Sequence, residues 1–385
     1  MKLSTDRILT THVGSLPRPQ PLIDLMVKRD HREPYDAAEM KRRVRQAVAD
    51  LVSRQVKIGI DIVSDGEASK IGYATYVKER LTGFRDENYS PQPQRDLADY
   101  PELRERMVRF IGGKPAYRRF CCTGTIEVQD HEAVKEDIAN FKTAIAAAKP
   151  TEAFMTAASP GVVTVFHPNR HYPSHGAYAE AVGAVMREEY EAIAGAGLVL
   201  QLDCPDLAMA GHTTFQDISE AEFLRRAEHQ VETLNHAVAN IPASSMRLHL
   251  CWGNYEGPHD FDIPLRKILP IVLKAKPQAI SFEASNPRHG HEWAVWREVK
   301  LPDDKVLIPG VLDTVTNFIE HPELVAQRIC QFADIVGRER VIAGTDCGFA
   351  TFVGNWGRVD PDIAFRKLRA LVEGAEIASK RLWGS

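Results

Sequence analysis

Short apolar runs rich in Val, Ile and Leu alternate along the chain with longer segments in which apolar residues recur every three or four positions. The short runs predict buried β-strands, and the longer segments predict amphipathic helices. Strands are predicted at residues 9–14, 59–64, 152–157, 198–203, 246–251, 279–283, 305–310 and 340–345. Strands that alternate with helices in this way indicate a parallel sheet built from βα units.

Capping residues mark several of the predicted helix ends. Asp36 with Glu39 and Ser219 with Glu222 have the spacing of a capping box, and Gly59 stands where the first long helix should stop. Eight βα units favour a TIM (β/α)8 barrel over a doubly wound sheet. The sequence therefore predicts an α/β barrel that forms a single domain over residues 1–385.

The stretch from about 85 to 150 is too long for one connection of such a barrel. It contains the polar segment YSPQPQRDLADYP, followed by RRFCCTGTIEV, which has the composition of an extra strand or hairpin. We therefore expect an insertion between the second and third strands.

Composition excludes several classes of protein. A formal charge of -4 with 26% charged residues gives no excess of basic side chains for nucleic acid. The first residues, MKLSTDRILTTHVGS, lack the apolar stretch of a signal peptide, and the apolar run 192–200 is too short to cross a bilayer. We expect a cytoplasmic enzyme with no membrane partner, whose six cysteines, none in a CxxC motif, are thiols, nucleophiles or metal ligands.

Polar or reactive clusters follow nearly every predicted strand. These clusters read HVGS, SDGE, LDCPD, HLC, FEAS, VLDT and TDCG along the chain. In a TIM barrel the carboxyl ends of all strands meet on one face, so clusters far apart in sequence would share one site. A structural role explains any one of them, but it explains seven together poorly.

His249 and Cys251 stand two residues apart on a predicted strand, so their side chains project to the same face. A buried His beside a buried Cys is more often plain core. Glu283 ends the next strand, however, and Cys347 follows the last one, which gives a set of four possible metal ligands. Soft thiolates with an imidazole select zinc, and a weak carboxylate ligand can give way to substrate. The pattern predicts a catalytic zinc site.

Over nearly its whole length the chain resembles the catalytic C-terminal domain of cobalamin-independent methionine synthase and its single-domain relatives. That family includes the epoxyalkane:coenzyme M transferases. The motifs that carry the resemblance are THVGSLPRP, DIVSDGE, QLDCPDLA, HLCWGNYEGPHDFDIPL, SFEAS, IPGVLDT and GTDCGFAT. It implies a TIM barrel with zinc held by His249, Cys251, Glu283 and Cys347, and methyl transfer to homocysteine that forms methionine.

The resemblance also implies the residues that bind the substrate. The turn matching HVGS would hold the substrate carboxylate through Val13, Gly14 and Ser15, and the carboxylates of Glu67 and Asp203 would hold its amine. Both roles make physical sense, because amides at a strand-to-helix turn bind anions and two carboxylates in a dry pocket prefer a bound ammonium to mutual repulsion.

The chain departs from the family pattern where the methyl donor would bind. The second, N-terminal barrel of the full-length synthases has no room here, and their pterin-stacking tryptophan has no counterpart in VVTVFHPNRHY, where only Phe166, His167 and Tyr172 are near. Val315 stands where the family has a proton-donating histidine, which leaves His167 and Asp313 as weak candidates for that acid. The catalytic acid stays unassigned.

Three functions follow as hypotheses. The first is methyl transfer to homocysteine from methyltetrahydrofolate or a corrinoid, with a homo-oligomer or a methyl-carrier protein as an open question. The alternative is addition of coenzyme M to an epoxide, although its sulfonate would prefer Arg or Lys where Glu67 and Asp203 stand. A non-catalytic zinc-binding barrel is the third, and a zinc hydrolase is disfavoured because such barrels hold the metal with His-rich sets.

Overall fold

Strands and helices alternate through most of the computed structural model, which describes residues 1–87, 92–110, 117–353 and 359–384. The strands are β1 Leu9–Thr10, β2 Ile62–Val63, β3 Phe84–Asp86, β4 Phe120–Cys122, β5 Glu152–Ala158, β6 Val199–Asp203, β7 Met246–Leu250, β8 Ala279–Phe282, β9 Val306–Pro309 and β10 Ile342–Ala343. The helices are α1 Gln20–Asp30, α2 Ala37–Ile58, α3 Val77–Arg80, α4 Pro101–Phe110, α5 Ala133–Ala148, α6 Pro160–Phe166, α7 His175–Gly195, α8 Glu220–Ala237, α9 Leu265–Val272, α10 Pro322–Val336 and α11 Pro361–Trp383. Each of the eight predicted strands overlaps an observed strand.

Six of these strands form one parallel sheet in the order β2-β5-β6-β7-β8-β9, which curls into a half-barrel. β1 and β10 form a separate parallel pair. This pair continues the curve, because single parallel bridges join β9 to the β10 segment at Leu307–Val341 and Gly310–Gly344. The α/β class and the parallel sheet are therefore as predicted.

The ladder between β1 and β2 is where the structure differs from the expected continuous barrel. Among the described residues no backbone ladder joins these two strands. Side chains connect them instead: Thr11 Oγ1 donates to Ile62 O at 3.0 Å, and Thr10 N donates to Asp61 Oδ2 at 2.9 Å. Both strands are only two residues long, which leaves little room for a ladder.

Helix ends follow the predicted chemistry. The Asp36 carboxylate accepts a hydrogen bond from Glu39 N at 2.9 Å, and Ser219 Oγ accepts one from Glu222 N at 3.2 Å. Gly59 ends α2 in the left-handed conformation, with φ of 97°. The predicted caps are confirmed.

Between β2 and β5 the chain adds a small antiparallel pair, β3 with β4. An extra strand in RRFCC was expected, and β4 is that strand. Parts of the stretch around it, residues 88–91 and 111–116, lie outside the described residues. α5 then packs against α2 and α7 before the chain enters β5.

The core has two parts. The larger lies between the sheet and the helices, and the smaller lies on the concave side of the strands. The smaller cluster consists of Leu9, Ile62, Phe154, Val199, Ala279, Val306, Ile308 and Ile342. β7 contributes buried Arg247 to this side, with its guanidinium 3.4 Å from the Phe154 ring centroid. Helices long and apolar enough to span a membrane were not found among the described residues.

Candidate metal centre and substrate cavity

Three of the predicted ligands come together where β7 and β10 end. The donor atoms of His249, Cys251 and Cys347 lie within 4.8 Å of one another, and all three residues are buried. The two sulfur atoms are 3.8 Å apart, far beyond the length of about 2.05 Å of a disulfide bond. The cluster therefore consists of free thiols beside an imidazole.

The geometry of this cluster fits a zinc ion. With Zn–S bonds of about 2.3 Å, two sulfur ligands of a tetrahedral zinc lie about 3.8 Å apart. The Nδ1 atom of His249 faces Asp203 Oδ1 at 3.1 Å, whereas its Nε2 atom is buried and has no hydrogen-bond partner among the described residues. An unpartnered imidazole nitrogen beside two thiols is the donor set expected of a metal site.

Burial, hydrogen bonds and neighbouring charges shift the pKa values of these side chains. Burial opposes a charge on His249, but the hydrogen bond with Asp203 and the nearby Cys251 sulfur raise its pKa to about 10. The hydrogen bond shared with Cys347, together with burial, raises the pKa of the Cys251 thiol well above its ordinary value. Two thiolates this close need a compensating cation, which a divalent metal supplies.

Glu283, the fourth predicted ligand, lies beside the cluster but is not part of it. Its Oε1 accepts a hydrogen bond from Trp252 N at 2.7 Å, and its Oε2 accepts one from Asn286 Nδ2 at 2.7 Å. Its negative charge contributes to the raised pKa of Cys251, which places it near the thiols. The structure thus groups a His, Cys, Cys set, with the carboxylate held at its edge by other partners.

A buried chain of hydrogen bonds runs from His249 to Arg247. Asp203 Oδ1, which faces His249 Nδ1, also accepts from Gln201 Nε2 at 2.7 Å. Gln201 Oε1 in turn accepts from Arg247 Nε at 2.7 Å. Asp203 and His249 are register partners on adjacent parallel strands, so the sheet itself sets this contact. A carboxylate on the second nitrogen of a metal-binding histidine fixes its tautomer and ring orientation.

Glu67 presents an unpaired carboxylate oxygen in the same region. Its backbone is in the left-handed region, with φ of 55°. Oε1 accepts from Thr156 Oγ1 at 3.2 Å, while Oε2 is buried and has no partner among the described residues. Burial raises the pKa of the carboxyl to about 7; the charge of Lys70 opposes this shift and that of Asp203 adds to it. Strained backbone and an unpaired buried acid are typical of a binding site.

In the predicted carboxylate-binding turn, two backbone amides already donate hydrogen bonds within the protein. Val13 N donates to Thr345 Oγ1 at 3.2 Å and Gly14 N donates to His12 Nδ1 at 3.2 Å, so both amides already have acceptors within the protein. Ser15 Oγ accepts from Ala350 N at 3.3 Å, which leaves its own O–H to donate.

Gly14 has a packing role. Its φ is +146°, and a Cβ atom there would lie 2.6 Å from Thr156 Cγ2 and 2.7 Å from Glu67 Oε1. Only glycine lets the turn approach Glu67 this closely.

One cavity joins these groups. Val13, Ser15, Glu67, Asp203, His249, Cys251 and Cys347 line it, whereas Gly14 and Glu283 are not on its wall. The two predicted amine-binding carboxylates and the thiol pair therefore face the same space. A substrate with both an amine and a thiol could contact both.

Five aromatic side chains line the same cavity, one of them Tyr255. The other four pack against one another and are here called the aromatic wall: Tyr73, Tyr117, Phe166 and Phe352. The Tyr73 and Phe166 rings meet at 81° with centroids 5.5 Å apart, and Tyr117 stacks on Phe352 at 5.0 Å. Burial, with the negative charges of Cys251 and Cys347 added, raises the pKa of Tyr73 well above its ordinary value, so its hydroxyl stays protonated.

Sequence reasoning missed most of this wall. The sequence places Phe166 near the third strand, but no local pattern points to Tyr73, Tyr117 or Phe352. Neither candidate acid named from the sequence lines the cavity. His167 is buried, which lowers its pKa to about 4, and the Asp313 carboxylate accepts hydrogen bonds from backbone amides of the turn that follows it.

The chain is similar to a known family over most of its length. The family model described as the cobalamin-independent synthase catalytic domain matches residues 8–91 and 116–376. A 2-hydroxypropyl-CoM lyase of Xanthobacter autotrophicus is 26% identical over 97% of this chain and 96% of its own length. A methionine synthase of Saccharolobus solfataricus is 23% identical over 97% and 95%.

A solved structure shares the fold. The B12-independent methionine synthase of a Shewanella species superposes with a TM-score of 0.76 at 21% identity, covering 98% of this chain and all of the other.

Proposed function

The chain belongs to the family of the cobalamin-independent synthase catalytic domain, and from this premise we propose that it is a zinc-dependent methyltransferase with homocysteine as its acceptor. The zinc ligands in this proposal are His249, Cys251 and Cys347, with Glu283 as a weak fourth ligand. Homocysteine would place its thiol at the metal and its amine between Glu67 and Asp203.

The observation that carries this proposal is the acidic character of the cavity. Glu67 presents a buried oxygen without a partner, Asp203 lines the same wall, and no Lys or Arg stands among the described lining residues. The buried cations whose charges act on Glu67 are engaged by other groups: Lys70 donates to Thr156 O, and Arg18 donates to Glu67 O and Ala350 O. Such a cavity favours an ammonium group and disfavours a sulfonate.

The residues would act on the acceptor as follows. Zinc, when bound, keeps the substrate thiol deprotonated and nucleophilic at neutral pH. Asp203 has two tasks, since its Oδ1 orients His249 while its carboxylate lines the amine-binding region. The Ser15 hydroxyl would donate a hydrogen bond to the substrate carboxylate. Together these contacts hold the sulfur at one place, and such positioning supplies much of the rate gain in a transfer between two substrates.

Thiol addition to an epoxide is a second candidate function, for one reason. The Xanthobacter relative, a 2-hydroxypropyl-CoM lyase, is similar to this chain over almost its full length. A thiol addition to an epoxide would use the same zinc-bound thiolate. It would, however, need a cationic group for a sulfonate, and the described lining offers none.

We also infer that the eight parallel strands close into a TIM barrel as a single domain, with the stretch from about 85 to 150 as its insertion. Seven of these strands contribute to the small concave core, and buried Arg247 from β7 completes the ring. The side-chain contacts between β1 and β2 would then stand at the seam. In such a barrel the cavity lies at the carboxyl ends of the strands, where active sites of this fold are found.

The acceptor can be tested with cobalt in place of zinc. A sulfur ligand added to cobalt produces a charge-transfer absorption, so titrations with homocysteine and with coenzyme M report thiol binding directly. We expect homocysteine to bind more tightly in the wild type, and Glu67→Gln to weaken homocysteine but not coenzyme M. Tighter binding of coenzyme M, unaffected by Glu67→Gln, would favour the epoxide reaction instead.

A further inference from the structure

The aromatic wall lies on the same cavity as the thiol pair and the two carboxylates. Its rings do not form one flat platform: the planes of Tyr73 and Phe166 meet at 81°, and those of Tyr73 and Phe352 meet at 57°. Tyr117 already stacks on Phe352. A folded wall of this kind suits a compact, rounded group better than a planar ring system.

The charge of the cavity indicates whether it can bind a cationic or an anionic methyl donor. Ring faces carry negative electrostatic potential and attract methylated cations. Glu67 and Asp203 add negative charge around the same space, and the lining residues that are described include no Lys or Arg. An anionic donor would be repelled here, whereas a cationic donor would be attracted by both rings and acids.

The cavity also offers no imidazole acid for a leaving group. His249 is the only histidine on the described lining, and its two nitrogens are assigned to Asp203 and to the metal. A methyl group on a positively charged heteroatom needs no such acid. The acceptor thiolate sulfur forms the new C–S bond, the bond from methyl to heteroatom breaks, and its electron pair leaves with a neutral sulfide or amine. No proton is transferred.

We propose that the methyl donor of this enzyme is an onium cation, a methylated sulfonium or quaternary ammonium compound, whose charged head contacts Tyr73, Phe166 and Phe352. The inference rests on the proposed function, since it names the donor for the same thiol acceptor. It assigns the aromatic wall the task of holding the donor while Glu67 and Asp203 hold the acceptor.

Binding without turnover gives the first test. Tetramethylammonium and its neutral isostere tert-butanol are titrated into the zinc-loaded protein by calorimetry. We expect the cation to bind at least about tenfold more tightly, as cation–π contacts in a desolvated site predict. Phe352→Leu and Phe166→Leu should remove most of this preference while keeping apolar bulk. Phe215→Leu is the control, because Phe215 is a buried ring that does not line the cavity. Equal binding of cation and isostere, or a preference that survives both cavity variants, would overturn the proposal.

Turnover gives the second test. Methionine formation from homocysteine is measured with trimethylsulfonium, tetramethylammonium, methylcobalamin and methyltetrahydrofolate triglutamate at equal zinc occupancy. We expect methyl transfer from trimethylsulfonium or from tetramethylammonium, and the compound that works identifies the heteroatom of the donor. Transfer only from methylcobalamin or the folate would refute the onium donor but leave the homocysteine acceptor intact. If homocysteine itself fails to bind the cobalt-substituted protein, the proposed function fails instead.

Discussion

The contact between Asp203 and His249 makes a measurable prediction about metal affinity. Asp203→Ala removes the acceptor that lies 3.1 Å from His249 Nδ1, and both side chains are almost fully buried. The imidazole then loses the partner that fixes its tautomer and orientation. Loss of such a contact typically lowers metal affinity by about 10- to 100-fold, or about 1.4 to 2.8 kcal/mol. Asp203→Asn keeps an oxygen acceptor, so its loss should lie at the lower end.

Competition with a chromophoric chelator at fixed pH measures this affinity, and the pH must be held constant because zinc displaces protons from its ligands. Glu67→Gln is the matched control: Glu67 lines the same cavity and has no hydrogen bond to His249. It should bind zinc like the wild type yet bind homocysteine weakly. Zinc affinity of a folded Asp203→Ala protein within twofold of the wild type would show that the carboxylate does not orient the ligand.

Three further predictions follow from the same site and its surroundings. Cys251→Ser and Cys347→Ser should each lose most of the zinc and Glu283→Ala should lose less, as metal analysis of purified protein would show; full occupancy in the double serine variant would refute the ligand assignment. Because burial raises the pKa of Glu67 to about 7, the KM for homocysteine should fall as pH rises through about 7, and Glu67→Gln should flatten that part of the profile; an unchanged profile would exclude Glu67 from amine binding. Burial also raises the pKa of Asp206 to about 7, so the folded protein binds one proton more than the unfolded chain between about pH 4 and pH 7. As the pH rises through this window, the free energy of unfolding should therefore fall by up to about 1.4 kcal/mol per pH unit. Asp206→Asn should show a smaller loss in denaturant titrations at the two ends of the window, and an identical loss would assign the effect to other groups.

Much of the fold was accessible from local patterns. Apolar periodicity located all eight parallel strands, and the capping residues Asp36 and Ser219 located two helix starts. Periodicity has no information about how neighbouring strands pair at their ends, so it could not show that β1 and β2 are connected through side chains. It also could not give the bounds of such short strands, because a two-residue ladder depends on its partner more than on its own sequence.

Local sequence patterns likewise predict only part of the candidate site. The same-face spacing of His249 and Cys251 pointed to the metal cluster, because spacing by two along a strand is a local property. The pairing of Asp203 with His249 depends on strand register, and the aromatic wall depends on four segments that meet only in the folded chain. Neither the pairing nor the aromatic wall produces a local sequence pattern. The left-handed backbone at Glu67 is likewise a consequence of its surroundings rather than of its residue type.

The pairing of β1 with β10 has a consequence for how the protein is made on the ribosome. Leu9 emerges from the ribosome long before Ile342, the residue with which it pairs, is synthesised. Cys347 follows Cys251 by 96 residues, so the second thiolate arrives long after the first. A nascent chain that stops before this point has His249 and Cys251 but cannot assemble the three-ligand cluster. The cluster of His249, Cys251 and Cys347 therefore cannot assemble until translation has passed Cys347.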